Sequence, residues 1–322
     1  MSMETVAGTD TLKLARRPHK GPKKPPTSVR HDRVRMNVAS IPLLLPATVL
    51  LIVLFFAPVA YSFYLGLTNL KLAGPTSLNY RFTGFANLQR LFEDGVFWQS
   101  LGLSGIFVVG SGIVLTTGVA LVLAVAMQSA LKPVSGIVAV VVMIAYMLPP
   151  VTIALVWFAS SVPGGSITAL FGNPQADFLN TVPMVMVSAA NAWSLTGLAM
   201  LMFSSALRNI PSDIIEAAQL ENATWGQRFF RIILPLLKPT IITTVLMMSL
   251  LSLANFTVVF LMTGGGPGSA TMILPVYSYQ QGFLFSDLAY GALIGNVTVV
   301  IATIFSALFV RLSRQRRARA RA

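Results

Sequence analysis

Residues 101–128 read LGLSGIFVVGSGIVLTTGVALVLAVAMQ, without one Asp, Glu, Lys, Arg or His. A helix rises about 1.5 Å per residue, so about 20 apolar residues cross the hydrocarbon core of a bilayer. The stretch is long enough. It is continuously apolar and lacks the two-residue alternation of a barrel strand, so it is predicted to be a membrane-spanning helix. Working outward, five more uncharged apolar runs occupy 41–67, 134–158, 181–203, 239–262 and 288–310. One such run fits the core of a soluble protein; six in 322 residues do not. The reading is an all-α polytopic membrane protein with six transmembrane helices.

Composition agrees. Hydrophobic residues make up 55% of the chain and charged residues 10%, with a mean hydropathy of +0.74. A soluble surface needs about 25% charged residues. The first apolar run begins after 40 mostly polar residues and is longer than the apolar core of a signal peptide, so it reads as a retained span.

The charges predict the topology. Of 23 Lys and Arg, nine lie in the N-terminal tail, Lys132 follows span two, and Arg208, Arg228, Arg231 and Lys238 follow span four. Six more, from Arg311 to Arg321, lie at the C-terminus. Only Lys71, Arg81 and Arg90 fall in the alternate loops. The positive-inside rule then places both termini and the loops after spans two and four in the cytoplasm, as for a multi-pass protein of a bacterial plasma (inner) membrane. The organisation expected is a basic, disordered tail over 1–39, a transmembrane domain over 40–312 with a cytoplasmic loop at 204–238, and a basic tail over 313–322. The net charge of +13 orients the chain in lipid. Basic residues that flank spans or lie in a Pro/Lys-rich tail form no folded basic surface, so nucleic acid is not an expected partner.

Several chemistries are excluded. The chain has no cysteine, and its two histidines, His19 and His31, are in the N-terminal tail. No metal cage or thiol chemistry is expected. No run carries an ionisable residue of the kind that proton-coupled carriers use. No Gly-Lys dipeptide occurs, and Gly264-Gly265-Gly266 is followed by Pro267, so no phosphate-cradling loop for ATP is present. No enzyme activity and no cofactor are expected on this chain.

The loop after span four reads SSALRNIPSDIIEAAQLENATWGQRFFRIILPLLKP over 204–238. It suggests two short helices. Pro211 suits a first helical position, and Asp213 and Glu216 place negative charge near the positive end of the dipole. Ala217 and Ala218 would admit a close backbone. Thr224-Trp225-Gly226-Gln227 reads as a capping box. Phe229, Phe230, Ile232 and Ile233 suggest an apolar face, and Pro235 and Pro239 suggest a stop before span five. The pattern alone leaves two readings, a hairpin packed on its own bundle or a helix that docks another protein.

This segment resembles the EAA loop of ABC importer permeases. Glu216-Ala217-Ala218, Glu221-Asn222-Ala223 and Ile232-Ile233-Leu234-Pro235 match its three parts, with Glu221 for the usual Asp and Asn222 for the usual Gly. Asn tolerates left-handed backbone, so the turn can survive the change. Two outer-loop stretches are similar to the maltose/glycerol-phosphate (carbohydrate uptake) branch of that family. They are Leu261-Met262-Thr263-Gly264-Gly265-Gly266-Pro267 and Phe82-Thr83-Gly84-Phe85-Ala86-Asn87, the latter followed by Asp94 and Phe97-Trp98. The resemblance spans about 40–312.

The resemblance implies a permease subunit that forms, with a second permease subunit, the path for a sugar or sugar-like solute. A dimer of ATP-binding subunits would hold ATP and Mg and grip the loop at Glu216, Ala217, Ala218, Glu221, Asn222 and Ala223. An extracytoplasmic solute-binding protein would deliver the solute. Phe229 and Phe230 would anchor the loop, and Tyr277, Tyr279 and Phe283 would either touch the binding protein or pack on the bundle. Polar or aromatic positions inside spans that suit a sugar path are Tyr146, Asn191, Trp193, Thr196, Asn255, Thr257 and Asn296. Helix–helix hydrogen bonding is the competing role of each. Gly291 and Gly295 suit close helix packing. The rival functions are a secondary carrier for a neutral solute, separable by gradient-driven uptake without ATPase, and a membrane scaffold.

Overall fold

The structure is a computed structural model that describes residues 41–319, so the expected disordered tail over 1–39 lies outside the described residues. The chain divides into two compact units, 1–54 and 55–322. In the first, α1 (Ile41–Leu51) is a helix with Pro46 inside it. The second is almost wholly helical; an isolated bridge joins Thr68 and Phe82. Among the described residues, five helices are long and apolar enough to span a membrane, or six if one bent pair counts as a span.

The bent pair is the third apolar run. Its parts, α5 (Lys132–Met147) and α6 (Pro150–Ser161), meet at 105°. Leu148 precedes Pro149 and Pro149 precedes Pro150, and a residue before proline is pushed out of the helical region. Both take extended backbone, with ψ of 140°. Pro150 then opens α6 at a position where no N–H is required.

Three other spans are labelled in chain order after α2 (Ala57–Gly66) and the short helix α3 (Ala86–Glu93). Span two is α4 (Gly95–Ser129), span four is α7 (Pro183–Arg208), and span six extends into α12 below. The middle of α4 widens to π geometry over Val108–Thr116. Thr116 Oγ1 and Thr117 Oγ1 donate to the carbonyls of Ser111 and Gly112, five residues back, at 2.7 and 3.0 Å. Such widened turns recur at functional sites because they re-aim side chains. This one turns Ser111 and Gly112 toward the bundle interior, where both are buried.

Helix α7 is the central post. Of its apolar window 61% is buried, against 33% for α4. It packs on α4, on α5 and on the fifth span. Small residues permit this. A methyl group on Gly197 would stand 2.6 Å from Val142 O and 2.8 Å from Tyr146 Cβ. Close backbone approach of this kind is how helices associate in lipid, which is as apolar as they are.

Past α8 (Ser212–Leu220), the fifth span begins as α9 (Trp225–Leu253) and resumes as α10 (Thr257–Thr263). The sequence suggested that Pro235 and Pro239 end a helix ahead of this span; instead the helix runs through both. Pro235 stands just after a π turn over Phe229–Ile233, and Pro239 lies inside the helix. Bundle contacts and local π geometry compensate for the missing N–H groups, as in many membrane helices.

After α11 (Leu274–Tyr279) comes α12 (Leu288–Arg319), which passes position 312 without a break. The expected tail from 313 is therefore helical as far as 319. Gly291 faces Gly282, with a would-be Cβ only 2.6 Å from Gly282 Cα, and the Cβ of Gly295 would be 3.2 Å from Ser278 Oγ. The expected close-packing role of this pair is what the structure displays.

Candidate functional site

The hairpin after span four is built from local signals. Helix α8 starts one residue later than Pro211 suggested, with Pro211 as its N-cap and Asp213 in the first turn. At its end, Asn222 N donates to Gln219 O and Ala223 N to Ala218 O. With Asn222 at φ 55°, this is a Schellman motif with Asn in the left-handed place that glycine usually holds. The capping box then opens α9: Thr224 N donates to Gln227 Oε1 at 2.9 Å and Gln227 N to Thr224 Oγ1 at 3.4 Å. The sequence suggested two short helices; only α8 is short, and the second runs on as the fifth span, joined to α8 by a turn that the Schellman bonds and the capping box hold from within.

Not every side chain stands as the pattern suggested. Glu216 and Ala217 are exposed, but Ala218 is buried against its own chain. Glu221 and Asn222 are exposed at the turn and Ala223 is half-buried. Phe230, expected as an anchor, is 65% exposed. The inner face belongs to Ile233 and Leu237, which join the cluster of Phe203 and Leu207. Phe229 instead stacks on Trp225, with parallel rings 5.4 Å apart. Phe230 lies inside the π turn over Phe229–Ile233, where the repeat is wider than the roughly 3.6 residues by which an apolar face is read.

A second site lies where the fifth span breaks. Asn191, wholly buried on α7, donates through Nδ2 to Ser111 Oγ on the widened turn of α4 and to Ser252 Oγ on α9, both at 2.8 Å. Its Oδ1 accepts from Asn255 Nδ2 at 2.6 Å. Asn255 Oδ1 in turn accepts from Val258 N, capping α10. A methyl on Gly112 would stand 2.8 Å from Ser252 Oγ, which explains a glycine there. Three spans are thus clamped by one carboxamide, and a second, that of Asn255, is bonded to it and half-buried.

Elsewhere on α7, toward α5 and α6, a mostly apolar cavity of about 300 Å3 is lined by Leu115, Val119, Val142, Trp157, Trp193 and Thr196, and by none of the clamp residues. Trp157 and Trp193 form its aromatic wall, 6.3 Å apart. Thr196 Oγ1 is engaged with Ala192 O at 2.6 Å. Tyr146 lies over Gly197 and is 38% exposed. Thr257 opens α10, half-buried. Asn296 is elsewhere: Ser62 Oγ donates to its Oδ1 at 2.8 Å and its Nδ2 donates to Ser62 O at 2.9 Å, tying α12 to α2. Ser111, Ser252 and Trp157 were not singled out in the sequence. The signal for Ser111 was its place between Gly110 and Gly112 inside an apolar run, and for Ser252 its place three residues before Asn255.

After α10, the Gly-rich loop folds on itself. Gly264 and Gly265 take φ of 60° and 94°, and a side chain on Gly265 would meet Met272 Cε at 2.7 Å. A cleft of about 320 Å3 separates this loop from Asp177 and Asn180. Tyr277 is buried in the bundle, Tyr279 packs between Phe256, Phe260 and Phe283, and Phe283 is 57% exposed.

Residues 118–319 match the family described as binding-protein-dependent transport system inner membrane component, and the chain belongs to that family. It is a multi-pass membrane protein and a transport subunit rather than an enzyme. It is 28% identical over 289 residues to the sulfoquinovosyl glycerol transport system permease protein SmoG of Agrobacterium fabrum, covering 86% of this chain and 91% of the relative. It is 27% identical over 287 residues to the trehalose/maltose transport system permease protein MalF of Thermococcus litoralis, covering 85% and 93%. In fold it is similar to a chain in the crystal structure of a bacterial alginate ABC transporter in complex with alginate pentasaccharide-bound periplasmic protein. There the TM-score is 0.71 at 18% identity, over 85% of this chain and 93% of the other.

Proposed function

We propose that the chain is one of two permease subunits of an ABC importer for a sugar or sugar-like solute. The observation that carries this is the hairpin over 204–238. A turn satisfied from within presents Glu216, Ala217, Glu221, Asn222 and the side chains of Leu220 and Phe230, 85% and 65% exposed, to a partner. Exposed large apolar groups on a rigid projection mark a docking surface. The partner is a dimer of ATP-binding subunits that holds ATP and Mg, so this chain carries no cofactor. Glu216 pairs with a polar group there, and Ala217 permits the close approach. The charge pattern supports placing this hairpin and both termini in the cytoplasm, with the Gly-rich loop outside, where a solute-binding protein delivers its load.

The solute path runs by the clamp. Asn255 uses one of its two amide hydrogens on Asn191, which leaves a donor for a sugar hydroxyl. Asn191 holds Asn255 in place. Trp193, with Trp157, supplies an aromatic wall, and Thr257 and Tyr146 lie on adjoining elements. Relatives named for sulfoquinovosyl glycerol and trehalose/maltose transport systems support this solute class.

The test is ATPase stimulation of the reconstituted complex by its binding protein loaded from a sugar panel. Ala217→Arg is expected to insert normally and to abolish coupled transport; wild-type uptake by that variant would sink the assignment. Gradient-driven uptake by this chain alone, without an ATPase, would favour a secondary carrier instead.

A further inference from the structure

The transport path leaves unused a carboxylate at the joint of α3 and α4. Asp94 Oδ1 accepts from Val96 N at 2.9 Å and Phe97 N at 3.2 Å, capping α4. Its Oδ2 accepts from the phenols of Tyr277 on α11 and Tyr290 on α12, each at 2.5 Å. Both tyrosines are buried. Gln281 Nε2 also donates to Tyr277 Oη at 3.1 Å. Arg90 on α3 pairs with Asp287 at 2.7 Å, and its guanidinium lies 3.9 Å from the Tyr290 ring centre. One carboxylate thus receives four hydrogen bonds and joins the outer ends of spans two and six to α11. Hydrogen bonds to a charged acceptor are the strong kind, and a buried phenol that loses its acceptor is left unsatisfied.

Helix α11 in turn holds the Gly-rich loop. Gln280 Nε2, in the turn that continues α11, donates to Gly264 O at 2.9 Å. Thr271 Oγ1, just before α11, bonds to Gly266 O at 2.9 Å and stands 2.6 Å from Thr263 Oγ1. Thr263 ends α10, whose other end is capped by Asn255. The contacts are unbroken from Asp94 through Tyr277, Gln280 and Gly264 to α10.

We propose that Asp94 is a positioning residue for transport: through Tyr277 it fixes α11 and the Gly-rich loop against span two, and so sets where α10 and Asn255 stand at the outer mouth. The inference rests on the transport reading above. It makes Tyr277 the transmitting contact and Tyr290 a brace toward span six.

The test uses the complete importer in proteoliposomes, with its binding protein loaded from a panel of glucose, galactose, maltose and trehalose. Assembly, basal ATPase and stimulated ATPase are measured for wild type, Asp94→Asn, Tyr277→Phe, Tyr290→Phe and the Asp94→Asn/Tyr277→Phe double variant. Asp94→Asn and Tyr277→Phe are expected to assemble, to keep basal ATPase within about twofold, and to lose stimulation about fivefold or more. The double variant is expected to be no worse than Asp94→Asn, and Tyr290→Phe to lose less than Tyr277→Phe. Near wild-type stimulation in Asp94→Asn or Tyr277→Phe overturns the proposal, as does a parallel fall of basal and stimulated rates. If Asp94→Asn fails to assemble, Tyr277→Phe, which keeps ring and cap, decides by the same criteria. A wild-type complex that no sugar stimulates overturns the transport reading, and this inference with it.

Discussion

Asn255 Nδ2 lies 2.6 Å from Asn191 Oδ1, across 64 residues of sequence, at the point where the fifth span stops being helical. The same carboxamide of Asn191 reaches spans two and five through Ser111 and Ser252. The clamp therefore stabilises the bundle, and Asn255 is its solute-facing edge in the transport reading. The two asparagines should separate on mutation. Asn191→Leu strands the buried Ser252 hydroxyl and unties Ser111, whose Oγ still donates to Phe107 O at 2.6 Å, with about 1 to 2 kcal/mol lost per interhelical bond at most. A clear fall in thermal stability in detergent is expected. Asn255→Ala should leave the melting temperature closer to wild type while raising KM for uptake.

The capping box at Thr224 and Gln227 should matter in proportion to its two bonds. Thr224→Ala is expected to cost about 1 kcal/mol. It should also loosen the hairpin, so hydrogen exchange at Gln227 N should accelerate. Unchanged exchange there would show that the box adds nothing to the turn.

Asn222 has φ 55°. Asn222→Gly should be tolerated, because glycine reaches this backbone without a Cβ penalty. Asn222→Val should cost about 1 to 2 kcal/mol and reduce ATPase coupling. Equal coupling in both variants would mean that turn geometry does not set docking.

Gly291 and Gly295 look equivalent in sequence but not in space. A Cβ at Gly291 would stand 2.6 Å from Gly282 Cα and 2.8 Å from Ser278 O, both backbone; at Gly295 it would meet a serine hydroxyl at 3.2 Å. Gly291→Ala is expected to destabilise by about 1 to 3 kcal/mol, and Gly295→Ala by clearly less. Thermal shift of the two variants in one detergent measures the difference.

Burial alone would raise the Asp94 carboxyl, but hydrogen bonds from Tyr277 and Tyr290, with the amides of Phe97 and Val96, outweigh it and hold it below the ordinary carboxylate range. Burial and the facing Asp94 push the Tyr277 phenol up, so it stays protonated as a donor. A depressed carboxylate contributes stability above its unfolded value of about 3.9 and loses it as pH falls through the lower folded value. The joint of α3 and α4 should therefore loosen only at strongly acid pH. Asp94→Asn should remove that part of the acid dependence of the melting temperature while leaving the rest.

Much of the hairpin was legible because its signals are local. A capping box is an i to i+3 relation, and a left-handed Asn is tied to one turn; neither needs a distant partner. The same locality misled at Pro235 and Pro239, where bundle contacts override the intrinsic effect of proline. It also misled at Phe230, which lies inside a π turn whose wider repeat departs from ordinary helical spacing.

Hydropathy by itself determined that the chain crosses a membrane repeatedly and roughly where, and the residues of 204–238 by themselves carried the family pattern. Lipid tails are as apolar as leucine, so an uncharged run marks a span without saying which face turns inward. That rotation was left to tertiary structure. It sent Asn191 to Ser111, Ser252 and Asn255, and it sent Asn296, equally eligible as a residue of the path, to Ser62 on span one, 234 positions away.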